Sequence, residues 1–143
     1  MSRESRVLAG ALLIVIPTVM FGGAALLAHL VGGMSGYTDN PLRQDLWRAG
    51  HAHAGVFLIL SLVMLRYVDE AALSPGWAWV ARLGAPIAAI LIPSAFFLSV
   101  ISPAATEVNG LIYLVVPGAV CLAASVITLG VGLIRAGRPV KQG

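Results

Sequence analysis

Four long apolar runs dominate this chain and constrain what it can fold into. They cover about residues 7–31, 46–68, 77–101 and 108–134. Each run has at least the roughly 20 residues that a helix needs to cross a bilayer core. Because lipid offers no partners for backbone polar groups, such segments fold as α-helices. The sequence therefore predicts an all-α membrane protein, with a four-transmembrane-helix bundle as its single domain over residues 1–143.

The charged residues are few and indicate topology. The chain is 59% hydrophobic and only 10% charged, which is untypical of a soluble domain. Its net charge of +3 is spread over the chain ends and short loops and forms no concentrated basic patch. We therefore expect the chain to lie in a lipid bilayer and not to bind nucleic acid. The positive-inside rule predicts both termini in the cytoplasm and a multi-pass protein of the inner membrane. The basic residues expected on the cytoplasmic side are Arg3, Arg6, Arg66, Arg82, Arg135, Arg138 and Lys141.

Two histidines, His51 and His53, lie near the start of the second helix within residues 47–55. The remaining residues from 49 to 55 are all glycine or alanine. Ionisable side chains at membrane depth are costly and usually have a function. Imidazole is also the commonest metal-binding side chain. His51 and His53 point about 200° apart on a regular helix, so they do not face the same ion. The sequence predicts one histidine at a site and the other against a neighbouring helix, subunit or headgroup.

The third histidine, His29, is predicted near the outer end of the first helix, at the depth of His51 and His53. A zinc or copper site built from all three would need a distorted helix, and the chain has no CxxC or HExxH pattern. Interhelical hydrogen bonds are the ordinary use of polar side chains in membrane helices. We expect interhelical or interfacial hydrogen bonds for His29 and His51.

Haem needs only one protein ligand on one face of its iron, and small residues beside that ligand leave room for the porphyrin. His53 has Gly50 nearly one turn before it and Phe57 one turn after it. Arg48 is placed to pair with a propionate at the outer interface. These residues are compatible with a haem site that has His53 as the iron ligand and His51 as the alternative ligand, and hydrogen bonding between helices stays open as the other use of both histidines.

Several short motifs follow one another in an order that resembles the styrene oxide isomerase family. The likeness covers about residues 21–103 and is only general in the fourth helix. The matching motifs are Phe21-Gly22, Leu30-Val31-Gly32-Gly33, Trp47-Arg48, Ala52-His53-Ala54-Gly55, Ala81-Arg82-Leu83, Phe96-Phe97-Leu98-Ser99 and Ser102-Pro103.

The resemblance implies a homotrimer of four-helix subunits that binds haem b between subunits. The family's haem histidine falls on His53. The ferric iron of such proteins is a Lewis acid towards an epoxide oxygen; a 1,2-hydride shift in the resulting benzylic cation then yields an aldehyde. A small apolar substrate such as an aryl epoxide is therefore implied, in a pocket that limits attack by water.

Two polar positions of the family differ in this chain. An asparagine after the haem histidine is replaced by Ile59, and a tyrosine in the third helix by Phe96. The pocket candidates are Ile59, Phe96, Phe97, Asn109 and Tyr113, and no catalytic residue is assigned. Two alternatives stay open. One is a membrane haem protein that does not isomerise and serves electron transfer, gas binding or haem handling. The other is a cofactor-free protein whose small residues serve helix packing.

Overall fold

The computed structural model describes residues 1–138, and over these residues the chain forms four long α-helices. The helices are α1 (Arg3–Val31), α2 (Pro41–Tyr67), α3 (Pro75–Ser99) and α4 (Val115–Ala136). A short 3-10 helix, Val68–Glu70, follows α2, and another, Gly110–Leu114, precedes α4. All four spans are long and apolar enough to cross a membrane, which confirms the predicted helix number and class. Residues 139–143, including Lys141, lie outside the described part of the chain.

The first two helices begin earlier than their apolar runs because polar caps set their ends. The side chain of Asn40 accepts a hydrogen bond from the backbone N–H of Arg43 at 3.0 Å, and α2 begins at Pro41 instead of residue 46. Proline suits the first turn because no helical hydrogen bond is lost there. Ser2 caps α1 in the same way, so α1 begins at Arg3 and not at residue 7. An apolar run thus marks the lipid-facing length of a helix and not its full length.

The fourth span begins at Gly110, close to the predicted residue 108, but its first part is not α-helical. The side chain of Asn109 accepts a hydrogen bond from the N–H of Leu111 at 2.9 Å and begins the 3-10 helix Gly110–Leu114. The α-helix starts only at Val115. Pro117 therefore lies in the first turn of α4, where its missing N–H costs no hydrogen bond. This proline thus lies near the point where α-helical geometry begins.

Helix α3 is the centre of the bundle, with α2 on one side and α4 on the other. Its small residues let α4 approach closely: a Cβ on Gly84 would lie 2.5 Å from the Cβ of Ser125. Helix α1 is peripheral and packs mainly on α2. Ser5 is its only buried residue, while Ile14 and Phe21 are 78% and 76% exposed. Exposed apolar side chains of this size fit a surface that faces lipid.

One polar cluster joins α1, the end of α2 and α3. The carboxylate of Asp69 accepts hydrogen bonds from the backbone N–H of Ser2 at 2.7 Å and from the hydroxyl of Ser5 at 3.2 Å. It also pairs with the guanidinium of Arg82 at 2.7 Å. Nearby, the N–H of Ala72 bonds to a carbonyl of α4. The N-terminus of α1, the C-terminus of α2, the N-terminus of α3 and the C-terminus of α4 therefore meet at one end of the bundle.

Candidate functional site

His53 lies on α2 with one ring nitrogen held by its own helix. Its Nδ1 is 2.7 Å from the carbonyl oxygen of Ala49, one turn earlier. A carbonyl oxygen only accepts, so Nδ1 carries the proton and Nε2 of the neutral ring keeps its lone pair. A backbone carbonyl on one ring nitrogen is the usual way to orient an imidazole whose other nitrogen binds a metal. The helix thus presents His53 in the tautomer that a metal ligand needs.

Two phenylalanine rings lie beside the imidazole of His53. Phe57, on the same helix, has its ring centroid 5.3 Å away at an interplanar angle of 64°. Phe96, on α3, has its centroid 5.2 Å away at 60°. Both contacts are edge-to-face arrangements, and the imidazole itself is half-buried. Within residues 1–138, Ala49 is the only hydrogen-bond partner of His53, so Nε2 forms no hydrogen bond there.

His51 faces α1 instead. A Cβ on Gly23 would lie 2.8 Å from Nε2 of His51, and one on Gly22 would lie 3.8 Å from Nδ1. The glycine pair therefore makes the space that the imidazole fills. Nε2 of His51 therefore faces α1, although the ring also lines two open apolar grooves with Gly55 and Ile59. His53 instead has its Nδ1 bound to its own helix and its ring against Phe57 and Phe96.

The expected interhelical hydrogen bonds of His29 and His51 do not form within residues 1–138. His51 meets α1 through packing against glycine, as described above. His29 packs against aromatic rings, with centroids 5.9 Å from Tyr37 and 6.4 Å from Trp47. Trp47 precedes His51 by about one turn of α2, so His29 lies nearer the outer end of the bundle than His51. The histidines therefore share an end of the bundle but not one depth.

Gly50 is buried against α3. A Cβ at this position would lie 2.9 Å from Cε2 of Phe97 and 3.3 Å from the Cβ of Phe96. The indole N–H of Trp47 adds a hydrogen bond to the carbonyl of Phe97 at 3.2 Å. The space that we assigned to a cofactor beside Gly50 is thus filled by α3. Gly50 therefore affects His53 only indirectly, because the lack of a side chain at Gly50 allows α3 to place Phe96 beside the imidazole.

The other predicted site residues lie apart from His53. Arg48 pairs with Asp45 at 2.6 Å, and these side chains are 59% and 71% exposed. Ile59 is exposed and lines open apolar grooves along α2 together with His51. Asn109 donates to the carbonyl of Leu98 and caps the 3-10 helix that precedes α4. Tyr113 is exposed on that 3-10 helix. Of the pocket candidates, the structure brings only Phe96 to the ring of His53.

From the sequence alone we assigned no role to Arg43, and the structure shows it to be a buried link between two loops. Its side chain is 5% exposed. It donates to the carbonyl of Gly36 at 3.0 Å and to that of Ile101 at 3.1 Å. The guanidinium also lies 4.0 Å from the ring centroid of Trp47, one turn later. An arginine four residues before a tryptophan at a helix start is a local signal for such stacking.

No three His, Cys, Asp or Glu side chains come together as a metal-binding group anywhere in residues 1–138. A single imidazole such as His53 suits a cofactor that brings most of its own ligands, as haem does. Comparison with protein-family models, curated proteins and solved structures found no match. The likeness to the styrene oxide isomerase family therefore stays a prediction from the motifs of the sequence.

Proposed function

We propose that this chain is a multi-pass membrane protein that binds haem b with His53 as an axial ligand. The observation that carries the proposal is the hydrogen bond from Nδ1 of His53 to Ala49, which leaves the Nε2 lone pair for iron. Phe57 and Phe96 add apolar walls beside the imidazole. Such walls suit a porphyrin and keep water from the metal.

We also propose a homotrimer in the inner membrane with both termini in the cytoplasm. The contacts of Asp69 bring together the helix ends that carry Arg3, Arg66, Arg82 and Arg135. A basic surface at one end is what the positive-inside rule expects of the cytoplasmic side. The trimer follows from the family resemblance. It fits the half-buried state of His53, because part of the ring lies at the bundle surface where another copy would approach.

The reaction that we propose is isomerisation of an aryl epoxide to an aldehyde. A bound ferric haem would supply a Lewis acid for opening the epoxide. Phe57 and Phe96 would exclude water, and their ring faces would favour positive charge that develops on the substrate. Neither ring donates a hydrogen bond, so the substrate's orientation would depend on its apolar contacts.

A second candidate is a haem protein that does not isomerise. The observation in its favour is that no side-chain hydroxyl or amide bonds to His53 within residues 1–138. Ile59, at the family's asparagine position, lies in the grooves that His51 lines. A third candidate has no cofactor, and the packing of Gly50 on Phe97 supports it.

Absorbance of the protein purified with haem separates the third candidate from the others. We expect a Soret band that is lost in His53→Ala and kept in His51→Ala. A band that survives in His53→Ala would show that another residue binds the iron. If the wild-type protein takes up no haem during expression or reconstitution, the cofactor-free candidate is correct.

Product analysis separates the two haem candidates. With styrene oxide, an isomerase forms phenylacetaldehyde at a rate proportional to the haem-loaded protein. We expect Phe96→Tyr to raise this rate, because it adds a hydroxyl beside His53 at the family's tyrosine position. Phe21→Tyr is the matched control, because it adds the same hydroxyl to a ring of α1 that is 76% exposed, and it should not change the rate. Absence of product from both the wild type and Phe96→Tyr favours the protein that does not isomerise.

A further inference from the structure

An open groove lies at the end of the bundle where α3 begins and α4 ends. We call it the Arg135 groove, and it has a volume of about 390 Å³. Its α3 side carries Ser74 and Trp77, and its α4 side carries Ile127, Thr128, Val131 and Arg135. The groove is far from His53 along α2, near the end that holds the Asp69 cluster. It therefore belongs to no part of the proposed haem site.

Three hydrogen-bond donors in this groove have no partner within residues 1–138. Arg135 forms no ion pair there. Ser74 precedes α3 as its cap residue, yet its hydroxyl makes no capping hydrogen bond. Thr128 makes no side-chain hydrogen bond, whereas Ser125, nearly one turn earlier, donates to the carbonyl of Leu122 at 2.9 Å. Ser74 and Arg135 are exposed and Thr128 is half-buried, so their donors are accessible to a ligand that accepts hydrogen bonds and also contacts the apolar wall.

The groove's chemistry changes with depth in a defined order. Arg135 lies in the last turn of α4, and Trp77 lies in the first turn of α3. Thr128 is seven residues before Arg135, about 10 Å deeper in the bundle at 1.5 Å per residue. Ile127 and Val131 form the apolar wall along this length. The groove thus has a cation at its mouth, an indole next, and a hydroxyl among aliphatic side chains deepest. This order matches a phospholipid, whose phosphate is followed by glycerol esters and then by acyl chains.

We propose that the Arg135 groove binds an anionic phospholipid of the surrounding bilayer. The phosphate lies against the guanidinium of Arg135 and the hydroxyl of Ser74. The ester region meets Trp77 and Thr128, and an acyl chain follows Ile127. Charge complementarity selects an anionic headgroup over a zwitterionic one, because the groove offers a guanidinium and no carboxylate.

Native mass spectrometry of the full chain in detergent micelles tests the proposal. The protein is titrated with phosphatidylglycerol or with phosphatidylcholine of the same acyl chains. The key variant is Arg135→Gln, and the matched control is Arg138→Gln, which removes the same charge just beyond α4 and outside the groove. We expect bound phosphatidylglycerol to fall at least fivefold in Arg135→Gln and less than twofold in Arg138→Gln. Phosphatidylcholine should bind weakly to all three proteins.

Three outcomes would overturn the proposal: equal losses in both variants, no loss in either, or equal binding of the two lipids. Equal losses would mean general attraction of anionic lipid to a basic surface. Circular dichroism checks that each variant is folded. Thr128→Val, which keeps side-chain volume and removes the hydroxyl, gives a second measurement with an expected two- to threefold loss. Light scattering tests the other possible occupant, a second copy of the chain. If Arg135→Gln changes the number of copies in the assembly, a second chain fills the groove and the lipid proposal is also overturned.

Discussion

Replacing Arg43 by methionine tests how the end of the bundle opposite the Asp69 cluster is held together. The guanidinium is buried, donates to the carbonyls of Gly36 and Ile101, and lies over the ring of Trp47. Through these contacts, one side chain of α2 fixes the turn after α1 and the residues after α3. Methionine has a similar length and fills the space, but it donates no hydrogen bond.

The size of the effect follows from those contacts. Each carbonyl left without a donor costs about 1–3 kcal/mol. Loss of the contact with Trp47 costs about 1–2 kcal/mol in a desolvated setting. Removing a buried charge recovers several kcal/mol, and here Nε of Arg43 has no partner within residues 1–138. We therefore expect a net destabilisation of about 2 kcal/mol, or a fall in Tm of roughly 4–8 °C for a chain of this length.

Thermal unfolding in one detergent, followed by far-ultraviolet circular dichroism, measures this change. Arg48→Met is the matched control, because Arg48 is on the same helix in an exposed pair with Asp45. Exposed pairs contribute little, so its Tm should change by less than about 2 °C. Arg43→Lys keeps the charge but loses the fork that reaches two carbonyls, so its Tm should lie between those of Arg43→Met and wild type. The reasoning is refuted if Arg43→Met melts with the wild type, or if Arg48→Met loses as much.

Three further predictions concern helix packing and can be checked by the same unfolding assay. Gly23→Ala should destabilise the protein by about 1–3 kcal/mol, because the added methyl overpacks against the imidazole of His51. His51→Ala in the same chain should restore most of that loss. If the destabilisations of the two single variants simply add in the double variant, the prediction is contradicted. Gly84→Val should lower Tm more than Gly23→Ala, because backbone and Cβ atoms of α4 face Gly84 and no flexible side chain can move away; equal shifts would count against it. Asp69→Asn should destabilise the protein by about 1–3 kcal/mol, because the ion pair of Asp69 with Arg82 and its contacts with serine are largely shielded from solvent. Glu70→Gln is the control: the pair of Glu70 with Arg66 is exposed, so stability should change by less than about 0.5 kcal/mol. The prediction fails if the two variants lose the same stability.

Helix number and class could be predicted because they depend on local properties. A run of more than 20 apolar residues has essentially one way to satisfy its backbone in lipid. Helix boundaries were less accurate. They depend on caps such as Asn40 and Asn109, whose side chains lie in polar flanks that hydropathy treats as loop. The opposite directions of His51 and His53 also follow from helix geometry alone. The structure agrees with that geometry, since His51 faces α1 and His53 contacts Phe96 of α3.

The composition of the site was not predictable in the same way, because it depends on which helix covers each face of α2. Gly50 looked like space for a cofactor, but Phe97 of α3 occupies that space. Ile59 was grouped with His53 by the family motif and Asn109 was a pocket candidate, and the fold places both elsewhere. Arg43 was assigned no role, although it bonds to the carbonyls of two loops.

By itself, the sequence determined that this chain forms four bilayer-length helices and that two imidazoles leave the second helix in opposite directions. Both results follow from backbone hydrogen bonding and the 3.6-residue period, which act within one helix. Only the tertiary structure decided what each imidazole meets: His51 packs against Gly23 of α1, and His53 packs against Phe96 of α3. These contacts join residues that are distant in the chain, and hydropathy carries no information about them.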